Sequence, residues 1–344
     1  MKQVQRAGDS STNYQAETIH IGLTYTEARE IALDVFRANA LELSRVARET
    51  AEERVEKITD SFFRRLLECS PESLESIKDP GVQRAIFRVQ EEYACSGDDA
   101  LGQVLVDMLV DRCRSSVRDI QQVTLNEAIK TAPKLATHHF AILSSLLFTA
   151  ETKFTGVASV DLIHGRLRSV LAPLAENLRV TESDLRHLQY AGCLSIDLIK
   201  SSLGDILTRM YPGLFTLGFE RGDIDASYQD LEAQFIMTCL RDSTRLQVGA
   251  RDKETLEDYL TSKGILDKYG TELKRLMDIN MMSPSAVEEE ISALHPNIRN
   301  LVNLWESSEM SLCKLTGVGI AIGYANARRV IDAEFTAEIS VWVN

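Results

Sequence analysis

Apolar positions recur at helical spacing through most of the chain. Ile31, Val35, Ala38 and Leu41 fall three or four residues apart, as do Val55, Ile58, Phe62 and Leu66, while Glu27, Glu30, Asp34 and Arg37 stay outside the first stripe. That is the pattern of amphipathic helices with one face in a core. Thr24-x-x-Glu27 reads as a capping box that opens the run, and Pro71 closes it after one interruption. Asp79-Pro80 supplies N-cap and N1 for a helix carrying Val82, Ile86 and Val89, which stops near Ser96-Gly97. Asp98 caps the next, with Leu101, Val104, Leu105, Met108 and Leu109, and the period continues from Val117 to Ile129. Leu135 to Ala150 is apolar on most faces and predicts a central segment.

Past Gly156 a further amphipathic helix carries Leu162, Leu167, Val170 and Leu171. Short helices are predicted at Asp184–Tyr190, Ile206–Tyr211, Leu231–Leu240, Glu254–Ser262, Thr271–Met277 and Pro284–Leu294, the last capped by Ser283. Pro296–Ser307 follows with Ile298, Leu301, Val302 and Trp305 on one side, and Thr316 caps a small-residue helix through Ala327. The two ends differ. Ala7 to Asn13 is a cluster of turn formers before Tyr14–Gly22, which reads as a strand or hairpin, and Phe335, Ala337, Ile339, Val341 and Val343 alternate like a strand with one buried face. The expected fold is therefore mainly α, a multi-helix body whose N-terminal β segment and C-terminal strand share a small sheet. The expected divisions are 1–23, 24–155 and 156–344.

Charge narrows the partners. The 344 residues hold 38 Lys plus Arg against 51 Asp plus Glu, a net charge of −13, and a field of that sign repels phosphate backbones. Nucleic acid is therefore disfavoured. The longest uncharged stretch, Leu135–Ala150, is too short for a membrane span and includes Thr137, His138, His139, Ser144 and Ser145. Met1–Ser10 has no apolar signal region, so a cytoplasmic protein is expected. Six scattered cysteines without a C-x-x-C pair read as reduced core thiols.

Candidate chemistry is sparse. Gly317-x-Gly319-x-x-x-Gly323 suggests a phosphate-binding turn, but the chain leaves no room after it for a dinucleotide fold, and close helix packing is the better reading. His138 and His139 are adjacent, point about 100° apart on a helix and lack a partner at i+4. Together with Gln189 and Cys193 they form the candidate polar site. Glu220, Asp223 and Asp225 lack the spacing of a calcium loop. Arg241, Arg245, Arg251 and Lys253 are offset by Asp242 and Asp252 and read as a solvated helix end. No cofactor and no metal are expected.

Several stretches together resemble an uncharacterised family of bacterial proteins: Ala7-Gly8-Asp9-Ser10-Ser11-Thr12-Asn13-Tyr14-Gln15-Ala16, Ile31 to Asn39, Glu182 to Asp184, Leu188 to Cys193, Leu315 to Gly323 and Ile339 to Trp342. The resemblance carries no activity and no catalytic residues. The Leu315-Thr316-x-x-Gly319 helix start also looks like the end of abortive-infection alpha proteins, helical bacterial proteins linked to phage exclusion. These readings together lead to an expected non-enzymatic, self-assembling interaction protein in phage defence or stress sensing. Its partners would be further copies of itself or another protein. Asp9, Asn13, Tyr14, Gln15, Ile19 and Ile21 are the candidate assembly segment, because a lone hairpin is marginal in water and needs outside pairing. The alternatives are an enzyme with an unrecognised site and a winged-helix-like DNA binder using Gly317 to Arg329, with Arg328 and Arg329 on phosphate.

Overall fold

Side-chain caps open most of the helices. Thr24 donates its backbone N–H and its hydroxyl to Glu27 Oε2 at 2.9 and 2.8 Å, and so starts α1 (Tyr25–Asn39). After α2 (Arg45–Cys69) and a 3-10 run at Pro71–Lys78, Asp79 accepts the Val82 N–H to cap α3 (Pro80–Ser96). Gly97, at φ 61°, ends α3 in the left-handed region that glycine alone adopts freely. Asp98 caps α4 (Asp99–Arg114), and Asp119 caps α5 (Ile120–Thr131). The predicted central segment is α6 (Thr137–Leu146), continued by a π turn at Leu147–Glu151.

The remaining helices are α7 (Val160–Leu174), α8 (Glu182–Tyr190), α9 (Leu203–Met210), α10 (Lys253–Ser262), α11 (Leu266–Met277), α12 (Pro284–Ser292), α13 (Pro296–Ser307) and α14 (Gly317–Val330). Among the described residues four strands of three residues, β1 (Leu194–Ile196), β2 (Ile236–Thr238), β3 (Leu246–Val248) and β4 (Cys313–Leu315), form two antiparallel pairs, β1 with β4 and β2 with β3. Leu194 faces Leu315 in the first pair, and Ile236 faces Val248 in the second. The fold is mainly α. This computed structural model describes residues 23–39, 45–115, 117–228, 231, 235–331 and 337–343. None of the described helices is long and apolar enough to cross a membrane.

One hydrophobic cluster takes residues from both sides of Gly156, among them Phe62, Leu105, Leu143, Leu185, Trp305 and Ala325. At its centre α14 packs on α4, α5 and α6. The glycines permit this approach, since a Cβ on Gly319 would stand 1.9 Å from the Cys193 carbonyl oxygen and one on Gly323 2.8 Å from that of Leu143. The close-packing reading of the glycine pattern thus holds. A smaller cluster around Phe219, Phe235, Leu260 and Leu273 gathers β3, α10 and α11. Among the described residues all six cysteines are free, four of them buried, with Cys95 exposed.

Two expectations need correction. Within the expected strand Phe335–Val343, the described residues 337–343 contain a 3-10 turn, Ile339–Val341. Ile339 and Val343 both enter the core, a spacing of four that a turn satisfies. Trp342 fixes that turn by packing against Phe148 and Tyr324, at ring-centroid distances of 6.0 and 5.6 Å. Within the expected helix Leu231–Leu240, Ile236–Thr238 is instead β2, because Leu231 and Phe235 anchor in the smaller cluster and the chain leaves them extended beside β3. The candidate assembly residues Asp9, Asn13, Tyr14, Gln15, Ile19 and Ile21 lie outside the described residues, as does the rest of the expected N-terminal β segment through Gly22.

Candidate functional site

The N-cap position of α6 is Ala136, whose side chain can accept no hydrogen bond. His139, three residues on, supplies the return half of a capping box instead, accepting the Ala136 N–H at Nδ1 over 3.1 Å. An Nδ1 that accepts leaves the proton of the neutral ring on Nε2, and Nε2 donates to Asp184 Oδ1 at 3.2 Å. His138 Nε2 meets the same oxygen at 2.8 Å. Adjacent residues on a helix diverge, yet these two rings converge, 4.3 Å between centroids, because Asp184 of α8 draws both. The divergence expected from sequence is corrected by that third residue.

Asp184 is itself the return partner in the capping box of α8, accepting the Thr181 N–H and hydroxyl at 2.8 and 2.7 Å. Burial acts to raise its pKa, but the hydrogen bonds from His138, Thr181 and His139 outweigh it and hold the carboxyl well below the usual range. His187, one turn on, stacks on His139 at 5.3 Å and donates through Nε2 to the Lys134 carbonyl. Gln189 and Cys193 do not join the cluster. Gln189 is exposed, and Cys193 is fully buried, with burial pushing its thiol up to about 12.

His138, His139 and Asp184 place one donor atom each within 4.8 Å of the others, close enough for a cation. The tautomer opposes it, since a metal on His139 Nε2 would move the proton to Nδ1, against the Ala136 N–H. The arrangement fits a hydrogen-bonded tie between the starts of α6 and α8. Burial, set against the Asp184 hydrogen bond, lowers the pKa of His139 below its ordinary 6.5. Because the folded value lies below the unfolded one, stability present above pH 6.5 is lost as pH falls through the folded value. Urea midpoints at pH 7.5 and 5.5 should fall in the wild type and fall less in His139→Gln, whose amide oxygen keeps the cap and does not titrate. Equal falls would remove the role given to His139.

The structure also assembles a site that the sequence reading missed. Between α3, α4 and α5 lies a cavity of about 870 Å³ whose lining includes Arg84, Arg88, Arg112, Arg118 and Lys130 against only Asp79 and Glu127. Arg112 is buried and forms the floor, with Nε on Asn126 Oδ1 at 3.0 Å, one terminal nitrogen on the Ser115 carbonyl at 3.2 Å and the other 3.7 Å from Asp79. Lys130 pairs with Glu127 at 2.5 Å. Arg84, Arg88 and Arg118 make no ion pair or hydrogen bond among the described residues. The available sequence signal was Arg84-x-x-x-Arg88, two like charges on one face of α3.

Other charge runs are spent on the fold. Arg328 lies against Asp111, both oxygens at 3.0 Å, and Asp107 at 3.5 Å, and Arg329 bonds Asn326. The DNA-binding alternative therefore loses the phosphate contact it assigned to Arg328. Arg241 forks onto Glu290 at 2.7 and 2.9 Å, beside His164, so it is no solvated helix end.

A family model matches residues 22–343, and the family it describes is uncharacterised. The chain belongs to that family. The matched span includes the residues of both the Asp184 cluster and the arginine-lined cleft. No curated protein and no solved structure matches it.

Proposed function

We propose that this member of the family is a non-catalytic binding protein whose ligand is a small anionic molecule held in the cleft between α3, α4 and α5. One observation carries the reading: three arginines with no ion pair or hydrogen bond among the described residues line an 870 Å³ cavity in a chain of net charge −13. Cations in such a chain have many carboxylates available, and the like pair Arg84 and Arg88 costs the isolated helix about 0.2–0.5 kcal/mol. A bound anion removes that repulsion and takes up the free guanidinium donors. The histidines support no catalytic role by comparison. His139 has both ring nitrogens committed, and the Thr181 hydroxyl of the cluster donates to Asp184 Oδ2 rather than to a histidine.

The test is thermal melting in low-salt buffer with pyrophosphate, sulfate or citrate. An anion that binds the folded state raises its stability, by about 2.7 kcal/mol at a hundredfold excess over the dissociation constant. Arg84→Glu with Arg88→Glu should abolish the rise, and added sodium chloride should shrink it by screening. A melt that none of the anions moves would refute the reading.

A further inference from the structure

The ligand class can be taken further, on the footing that the cleft binds an anion. We infer that its ligand is a nucleoside diphosphate, with the diphosphate on Arg84, Arg88 and Arg118 and the base against α5. Three features of the lining lead there.

The first is the kind and spacing of the cations. All three unpaired groups are guanidinium forks, which bind phosphoryl oxygens two at a time, where lysine offers only a point charge. Arg84 and Arg88 stand one turn apart on α3, about 6 Å along its axis, so that two neighbouring phosphoryl groups can each meet one fork.

The second is the apolar wall. Pro80, Val82, Ala85, Val123 and Ile129 share the cavity with the arginines. Inorganic phosphate would leave that wall wet, whereas a ligand with a flat, weakly polar body covers it. The volume of about 870 Å³ is that of a site for an organic molecule and far exceeds a lone anion.

The third is a matched pair of unused polar atoms. Gln122 spends its Nε2 on the Ser115 carbonyl, and Asn126 spends its Oδ1 on Arg112. Gln122 Oε1 and Asn126 Nδ2 have no partner among the described residues, and the two side chains sit one turn apart on α5. One acceptor and one donor at neighbouring positions suit the edge of a nucleobase, which presents both. The two carboxylates of the lining are engaged elsewhere, Asp79 in capping α3 and Glu127 with Lys130.

Isothermal titration of the full chain with ADP, UDP, adenosine and pyrophosphate separates the two levels of the argument. One of the diphosphates should bind about tenfold or more tightly than pyrophosphate, and adenosine should show no heat. Arg84→Gln with Arg88→Gln should weaken nucleotide and pyrophosphate alike, by about tenfold or more for the lost charged contacts. Gln122→Ala should weaken the nucleotide and leave pyrophosphate unchanged. Since Arg84 and Arg88 make no ion pair or hydrogen bond among the described residues, and glutamine keeps part of each side chain's packing, the arginine variant should melt close to the wild type, which separates lost binding from lost structure. If ADP and UDP bind no better than pyrophosphate, the nucleoside assignment falls and the anion cleft stands. If nothing binds, or the arginine variant binds as the wild type does, both fall.

Discussion

Replacing Arg328 by methionine is expected to cost the folded state about 3–5 kcal/mol, the usual penalty for removing one partner of a buried ion pair. Its guanidinium lies between Asp107 and Asp111 of α4 and over the Tyr324 ring, and its side chain is 10% exposed. Arg65 also reaches Asp107, at 3.0 Å, and Arg114 reaches Glu338. Without Arg328, Asp111 keeps only Arg114, 3.9 Å away, among the described residues. Burial already pushes the Asp111 carboxyl up to about 6, against the lowering by Arg328. A carboxyl whose folded pKa lies above its unfolded one costs stability as pH rises through the folded value and costs less as pH falls. The deficit of Arg328→Met should therefore be larger at pH 8 than at pH 5, and Asp111→Asn in the same chain should recover part of it. Urea unfolding at the two pH values measures this, and a deficit independent of pH would show that the buried carboxylate is not its source.

Gly319→Ala should be nearly as damaging. Its new Cβ would meet the Cys193 carbonyl oxygen at 1.9 Å, and that oxygen is already held by the Thr316 N–H at 3.0 Å. The Cys193 carbonyl is backbone and the position of a Cβ is fixed by its own backbone, so no rotamer relieves the clash, and α14 must part from the segment leading into β1. We expect a loss of about 3 kcal/mol, at the upper end for overpacking. The gain of about 1 kcal/mol in helix propensity is included. Gly317→Ala is the control: its Cβ meets only the Thr124 side chain, at 3.2 Å, and its stability should stay close to that of the wild type. If both variants unfold at the same urea concentration, the close approach at Gly319 does not constrain the fold.

Helix starts were legible at five local caps, and missed by three residues at two others, Asp119 and Ser202. Thr24, Asp79, Asp98, Ser283 and Thr316 each bond an amide two or three residues on, so the sequence neighbourhood contains the whole interaction. Ala136 shows the limit of that reading, because a residue that cannot cap was served by His139, and the ring orientation followed from Asp184, 45 residues away. Charge was the least legible property. Arg328 and Arg84 look alike in sequence, and only the fold reveals that α4 neutralises one while no carboxylate among the described residues pairs with the other. The final segment misled for a related reason. Ile339, Val341 and Val343 alternate as a strand would, but Ile339 and Val343 are also four apart, and the docking of Trp342 decides between the two.

The place of α14 in the core has a consequence for synthesis on the ribosome. The apolar faces of α4, α5 and α6 are covered by a helix that is made only after α7 to α13. At about 5–20 residues per second, those faces wait on the order of ten seconds or more for their cover. During that interval the nascent chain carries an open groove of core residues, and a chaperone that shields apolar surface has its natural point of entry there. A chain released before Thr316 would keep that groove for good, which makes early termination a route to aggregation for this protein.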